Sequence, residues 1–222
     1  MDDGDKKQTE GMIITAVLAG ESDQFALLVQ QYQRVLLRVA ASRLGRQDLA
    51  EDVVQETFLA AFKSLHTYDS RFSFRTWLWT ILLNQCRRTQ KKRMRHPLVQ
   101  SWGDQQTETD TSPELHTRDE SPVNRLLNKE QSQQLDRMLN QLPQQNATSL
   151  RLRFFAGLKF HEIATAMKCS LSSAKIRVRQ GLIQLADLIG EQPNQLSTNQ
   201  SSSTHQPSLQ RTDTGPDKEV SL

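Results

Sequence analysis

Cysteine is scarce in this 222-residue chain: Cys86 and Cys169 are the only two, far apart and in no CxxC or zinc-like spacing. Neither a disulfide framework nor a metal site is therefore indicated, and each reads as a small buried hydrophobe. Long apolar runs are also missing. The longest, IITAVLA at residues 13–19, is far too short to cross a bilayer. The opening MDDGDKKQTEG is acidic and polar, unlike a signal peptide, so the expectation is a cytoplasmic protein with no membrane insertion. No convincing alternation of apolar and polar residues argues for a strand. Catalytic signatures are missing too. His161-Glu162 lacks the rest of an HExxH, there is no Gly-rich phosphate loop, and no Ser/His/Asp or Cys/His arrangement is recognisable. The expectation is a non-enzyme with no cofactor and no metal.

What is present is segregated. The apolar fraction is 36% and the mean hydropathy −0.62, low for one compact globule, which implies ordered pieces joined by polar segments. The net charge is only +3, but residues 84–97, NQCRRTQKKRMRHP, hold six Arg or Lys and no carboxylate. Residues 103–122 hold six carboxylates and one Arg, and residues 143–190 carry seven basic and two acidic side chains. Two basic blocks around an acidic spacer imply two anion-binding modules with something negative between them.

Helical periodicity organises the rest into an all-α chain of two small helical domains. A disordered N-terminus is expected over 1–10, a helical bundle over 11–96, a flexible acidic linker over 97–122, a second helical domain over 123–190 and a disordered tail over 191–222. Within the bundle, a short helix is expected at 12–19 and another from an N-cap at Ser22 to a stop at Gly45. The next carries DLAEDVVQETFLAAF. Ala50, Val53, Val54, Thr57, Phe58, Ala61 and Leu65 fall on one side of it, and Asp48, Asp52, Gln55 and Glu56 on the other, with Leu59 in their midst. Carboxylates in the first turns offset the helix dipole, but the dipole explains neither Glu56 nor Leu59.

The helix from Ser73 to Arg95 is apolar nearly all round at its start, so it should be sandwiched, with core packing the default for Trp77 and Trp79. Asn84 lies on the side of Trp77, and beyond it come Arg87, Arg88 and Lys91. The preceding loop adds His66, Tyr68, Arg71 and Phe72. Aromatics interleaved with cations suit the capture of single-stranded bases.

KFHEIATAMKCSLSSAKIRVRQGLIQLADLI, residues 159–189, has the grammar of a helix-turn-helix. Ile163, Ala164 and Met167 give a buried side, Cys169 plugs the turn and Ser170 caps the next helix. A stripe of Leu171, Ala174, Val178, Leu182, Leu185 and Ile189 is expected to face the core. Ser172, Ser173, Ile176, Arg179 and Gln180 then face outward, flanked by Lys175 and Arg177: central groups for base edges, lateral cations for phosphates.

Together, DLAEDVVQETFLAAFKSLHTYD, FSFRTWLWTILLNQCRR and LPQQNATSLRLRFFAGLKFHEIATAMKCSLSSAKIRVRQGL resemble the second and fourth conserved regions of sigma-70 family RNA polymerase sigma factors of the extracytoplasmic-function (ECF) type. The resemblance implies that Asp48, Asp52, Gln55, Glu56 and Leu59 dock on the polymerase clamp helices. It implies that His66, Tyr68, Arg71, Phe72, Trp77, Asn84, Arg87, Arg88 and Lys91 open and hold the −10 element. The second domain would read the −35 element as duplex, through Ser172, Ser173, Lys175, Ile176, Arg177, Arg179 and Gln180. Bacterial core RNA polymerase, promoter DNA and an anti-sigma factor are the implied partners. The alternative is a stand-alone helix-turn-helix regulator. The sequence departs from the family pattern at Lys168, where glycine is common, and at Gln180 and Leu182, where arginines are common.

Overall fold

The computed structural model describes residues 3–95 and 122–190, with side chains over 7–95 and 128–190. The calls of a flexible linker and a disordered tail lie outside the described residues, except that Pro122 already belongs to a helix. Among the described residues the fold is all α-helix and turn.

α1 (Asp3–Leu18) starts well before the expected residue 12, which corrects, for residues 3–10, the disordered N-terminus expected over 1–10. A tertiary contact accounts for it. Glu10 is buried and its carboxylate accepts hydrogen bonds from the Tyr32 hydroxyl and from Gln31 Nε2, both on the next helix. A polar residue carrying no apolar period is thus ordered by a partner over twenty positions away.

α2 (Phe25–Leu44) follows a 3₁₀ turn, Ser22–Gln24, and neither has a side-chain cap, so Ser22 is not the expected N-cap. Gly45 ends α2 in the left-handed region at φ 71°, as its position predicts. Phe25, Leu28, Tyr32, Leu36 and Val39 form the buried stripe, one residue every three or four. α3 (Gln47–Lys63) buries Ala50, Val53, Val54, Thr57, Phe58 and Ala61, matching the expected stripe, and Leu65 follows, buried, in a second 3₁₀ turn. α4 (Phe74–Arg95) is the sandwiched helix: Phe74, Leu78, Trp79, Leu82, Leu83 and Cys86 are all buried. It packs on α2 and α3 and also on α7, in the second half of the chain.

That second half comprises α5 (Pro122–Gln141), α6 (Gln144–Leu150), α7 (Phe160–Ala166) and α8 (Leu171–Gly190). Pro143 is the N-cap of α6, and α6 runs into a π-helical turn, Arg151–Phe155, that periodicity did not announce. Gly157 reverses the chain at φ 64° before α7. The two halves share one continuous hydrophobic core, with Leu139, Leu150, Leu152, Leu158 and Ile163 in the same cluster as Leu36, Leu78 and Trp79. Two domains that composition separates are therefore packed directly on each other.

Candidate nucleic-acid interface

Three exposed surfaces carry the residues singled out from the sequence. On α3, Asp48, Asp52, Gln55, Glu56 and Leu59 are all exposed, Leu59 at 47%. Opposite them the buried side of the helix is complete, so the helical phase inferred from the apolar spacing is correct. Asp48 is held by Arg46, whose guanidinium donates to both carboxylate oxygens at 3.1 and 2.6 Å, and this keeps its pKa below the usual range. Phe62, also exposed, extends the apolar centre one turn further along α3.

The second surface is built from the α3–α4 connection and the start of α4. Tyr68, Phe74 and Trp77 pack on one another in edge-to-face and tilted pairs at centroid distances of 5.4 to 5.8 Å. Trp79 is fully buried while Trp77 is only half-buried, so the core default holds for one tryptophan and in part for the other. The Tyr68 hydroxyl donates to the Phe72 carbonyl at 2.7 Å, and partial burial raises its pKa. That bond turns the loop so that Phe72 projects into solvent, 55% exposed. Arg71 is exposed and folds onto Asp69 at 2.6 Å, so it is committed within the loop. His66 is exposed on the 3₁₀ turn Leu65–Thr67. Along α4, Asn84 Oδ1 accepts from Arg87 at 3.2 Å, and Arg87, Arg88 and Lys91 are exposed. Tyr68 and Trp77 are thus the wall of an aromatic platform, and Phe72 is its free ring.

α8 presents the third surface. Ser170 caps it, accepting from Ser173 N at 3.1 Å, with the two hydroxyls 2.8 Å apart. Ser173 is therefore engaged in the cap. Ser172, Lys175, Ile176, Arg179 and Gln180 are exposed, Ile176 at 53%, and Arg177 is half-buried at their flank. Lys168 adopts φ 52° in the turn. A left-handed residue there is what glycine would supply without a steric cost.

The expected core stripe of α8 needs correction. Ala174 and Val178 are buried and Leu185 half-buried, but Leu171, Leu182 and Ile189 are exposed, and the buried line runs Ala174, Val178, Gly181. The cause is a close helix crossing. A Cβ on Gly181 would lie 2.9 Å from Leu150 Cδ1, so α8 meets α6 along its small residues and the large leucines are turned aside.

Sequence reasoning missed one group altogether. Arg151, 2% exposed, donates from Nε to Ser42 Oγ at 2.7 Å and from Nη2 to the Ser42 carbonyl and Asn140 Oδ1 at 2.8 and 2.7 Å. Ser42 Oγ in turn donates to Asp136 Oδ1 at 2.6 Å, and Arg38 binds Asp136 Oδ2 at 2.7 Å. No local pattern marks any of these residues, because their partners lie 94 to 109 positions away in all but one of the contacts.

Residues 28–96 match the family model described as Sigma-70 region 2, and residues 132–185 match Sigma-70, region 4, together more than half of the chain. The chain is 28% identical over 172 residues to the RNA polymerase sigma-H factor of Pseudomonas aeruginosa, covering 78% of this chain and 89% of that one. It is also 28% identical over 171 residues to the ECF RNA polymerase sigma-E factor of Haemophilus influenzae, covering 77% and 89%. In fold it is similar to CnrH in complex with the cytosolic domain of CnrY, with a TM-score of 0.59 at 22% identity, covering 81% of this chain and 96% of that one. It is similar also to the sigma factor RpoE in complex with the anti-sigma factor NepR from Bartonella quintana, with a TM-score of 0.55 at 24% identity, covering 73% and 96%.

Proposed function

The chain belongs to the sigma-70 family of RNA polymerase sigma factors, and from that membership we propose how its three exposed surfaces divide the work of starting transcription. Sigma factors are DNA-binding initiation factors rather than enzymes, and this one directs core RNA polymerase to promoters.

The polymerase contact is the α3 face. Leu59 ringed by Asp52, Gln55 and Glu56 has the apolar centre and polar rim of an interface, and it fits a partner helix with an apolar centre and cationic edges. The −10 element is opened and held by the loop and α4. Phe72 offers a free ring to an extruded base, backed by Tyr68 and Trp77. His66, Arg71, Asn84, Arg87, Arg88 and Lys91 line the path of the single strand. The −35 element is read as duplex by α8. Ile176, Arg179, Gln180 and Ser172 meet base edges, Lys175 and Arg177 hold phosphates, and Ser173 shapes the helix start.

In domain terms, residues 11–96, extended by the early turns of α1, bind polymerase and the −10 element, and residues 123–190 bind the −35 element. The acidic segment 97–122 connects the two in sequence. Among the described residues no helix is long and apolar enough to cross a membrane, and a subunit that works on the chromosome acts in the cytoplasm. The two solved neighbours are complexes with a partner protein, in one case a named anti-sigma factor, and we extend that relation to this chain: an anti-sigma factor would hold it inactive.

The observation that carries the reading is the coexistence of the exposed Leu59 face with a basic, aromatic-lined helix and a capped recognition helix. A stand-alone regulator has no use for the first. Purified chain mixed with bacterial core polymerase should co-migrate with it and yield run-off transcripts from a promoter library. A chain that neither co-migrates nor supports transcription would sink the proposal.

A further inference from the structure

Four positions among the described residues hold the backbone at positive φ. Three are glycines, Gly20, Gly45 and Gly157, and the fourth is Lys168 at φ 52°. The end of α7 requires that conformation. Cys169 N donates to the Ala164 carbonyl at 2.9 Å and Lys168 N to the Thr165 carbonyl at 3.1 Å. This pair of bonds closes a helix through a left-handed residue just past its cap. Met167 is the cap, so Lys168 holds the place that glycine fills most often. A side chain there crowds its Cβ against the following carbonyl oxygen, a strain that glycine escapes. Strain of this kind collects at functional sites, which directs attention to what the lysine side chain does.

The fold makes no use of it. Lys168 is exposed, and its ammonium forms neither an ion pair nor a hydrogen bond among the described residues. The carbonyls at the end of α7, which would attract a cation, already have donors. Ile163 accepts from Met167 N, and Ala164 and Thr165 accept the two bonds of the turn. No carboxylate is near in sequence either. From Ile163 to Ala186 the chain has four cations, Lys168, Lys175, Arg177 and Arg179, and no Asp or Glu.

Position supplies the use that packing does not. In a helix-turn-helix the second helix enters the major groove by its N-terminal residues, while the first crosses the sugar-phosphate backbone. The turn from α7 to α8 therefore passes from backbone to groove, over the lip where phosphates lie. Lys168 stands two residues before Ser170, whose hydroxyl caps α8. Ser172, Lys175 and Ile176 follow in the first turns of that helix, all exposed. A lysine on such a lip is a point charge on a flexible four-carbon stem, which suits a phosphate oxygen and reads no base.

We propose that Lys168 is a further phosphate contact of the −35 duplex: a strained lysine occupies the glycine position of the turn because its charge anchors the N-terminal end of α8 beside the groove. The contact rests on the assignment of α8 to that duplex; the geometry of the turn does not.

Three substitutions at this exposed position test it, in the full chain assembled with core polymerase and titrated with −35 duplexes at several salt concentrations. Lys168→Gly and Lys168→Asn introduce residues at home in the left-handed region. Both should weaken binding to every duplex alike and reduce the slope of log affinity against log salt by about one. Lys168→Arg should keep the slope, and all three should leave base preference unchanged. Stability should move the other way: Lys168→Gly relieves the turn and should raise the Tm by about 2 °C. A lysine that served only the fold would give a lower Tm and an unchanged slope. An unchanged slope in either neutral variant would overturn the phosphate contact, and so would an altered base preference. Arg177→Ala, measured alongside, keeps the two readings apart. If it lowers the slope and Lys168→Gly does not, α8 still reads the duplex and the lysine alone is misassigned. A wild type that binds no duplex would refute both. A chain that fails to assemble with polymerase would refute the sigma factor reading, and the same titration of the chain alone then decides the lysine.

Discussion

At the scale of single residues, exposure is what distinguishes function from packing. Leu59 stands out of a helix whose other face is fully buried. Leu59→Asp should abolish binding to core polymerase, because it removes an apolar contact and places an unpaired charge in the interface. Thermal stability should change by no more than about 0.5 kcal/mol, the usual scale for an exposed site. A polymerase pull-down and a melt of the same variant check both parts, and a folded variant that still binds would make the face merely solvated. Phe72 makes the complementary case. Its ring is free while Tyr68 and Trp77 are held in a cluster, so Phe72→Ala should cost about 1–3 kcal/mol of open-complex stability and leave the fold intact. Permanganate reactivity of the promoter bubble reads the effect, and an unchanged pattern would refute base stacking at this position.

At the scale of one element, α8 separates two kinds of contact along its exposed side. Arg177 sits at the flank, half-buried, whereas Arg179 and Gln180 are exposed on the central line with Ile176. Arg177→Ala should weaken binding to every duplex alike and reduce the slope of log affinity against log salt by about one. Arg179→Ala and Gln180→Ala should instead change which bases are preferred. Duplex binding at several salt concentrations, across a library of −35 sequences, distinguishes the two. Equal loss of preference from Arg177→Ala and Arg179→Ala would mean that the groove face has been misassigned. The seating of α8 depends on Gly181 and Leu150, so the direction of this face is set by a close approach to α6 as much as by the order of polar residues.

At the scale of the whole molecule, Cys86 reports on the shared core. It is fully buried on α4, and burial pushes its thiol up to about 11, against the opposing influence of the Arg43 and Arg151 cations. Between the ordinary thiol range and pH 11 the unfolded chain loses this proton and the folded chain keeps it. Stability should therefore fall as pH rises through that window, by about 1–3 kcal/mol from this group. Denaturant melts of wild type and Cys86→Ala at pH 8 and pH 10.5 give the difference, and an equal alkaline loss in both would exclude Cys86 as its source. At pH 8 a thiol reagent should react readily with Cys169, which is partly exposed, and with Cys86 only on opening or unfolding.

Much was determined by the sequence alone, for a physical reason that is local. Apolar residues every three or four positions specify which side of α2 and α3 is buried, Gly45 stops one helix, Ser170 starts another, and the leftover Leu59 marks a surface. Each of these signals concerns neighbours one or two turns apart, which a single segment carries in full. The tertiary structure decided the rest. The phase of α8 followed the small residues because Leu150 had to approach Gly181. α1 began at Asp3, with Glu10 buried against Tyr32 and Gln31. Arg151, which by composition is one more cation of a basic block, became the buried centre of the contact between the halves because Ser42, 109 positions earlier, accepts its protons. A charged side chain looks the same in sequence whether it meets water or a partner across the core, and only the folded arrangement tells them apart.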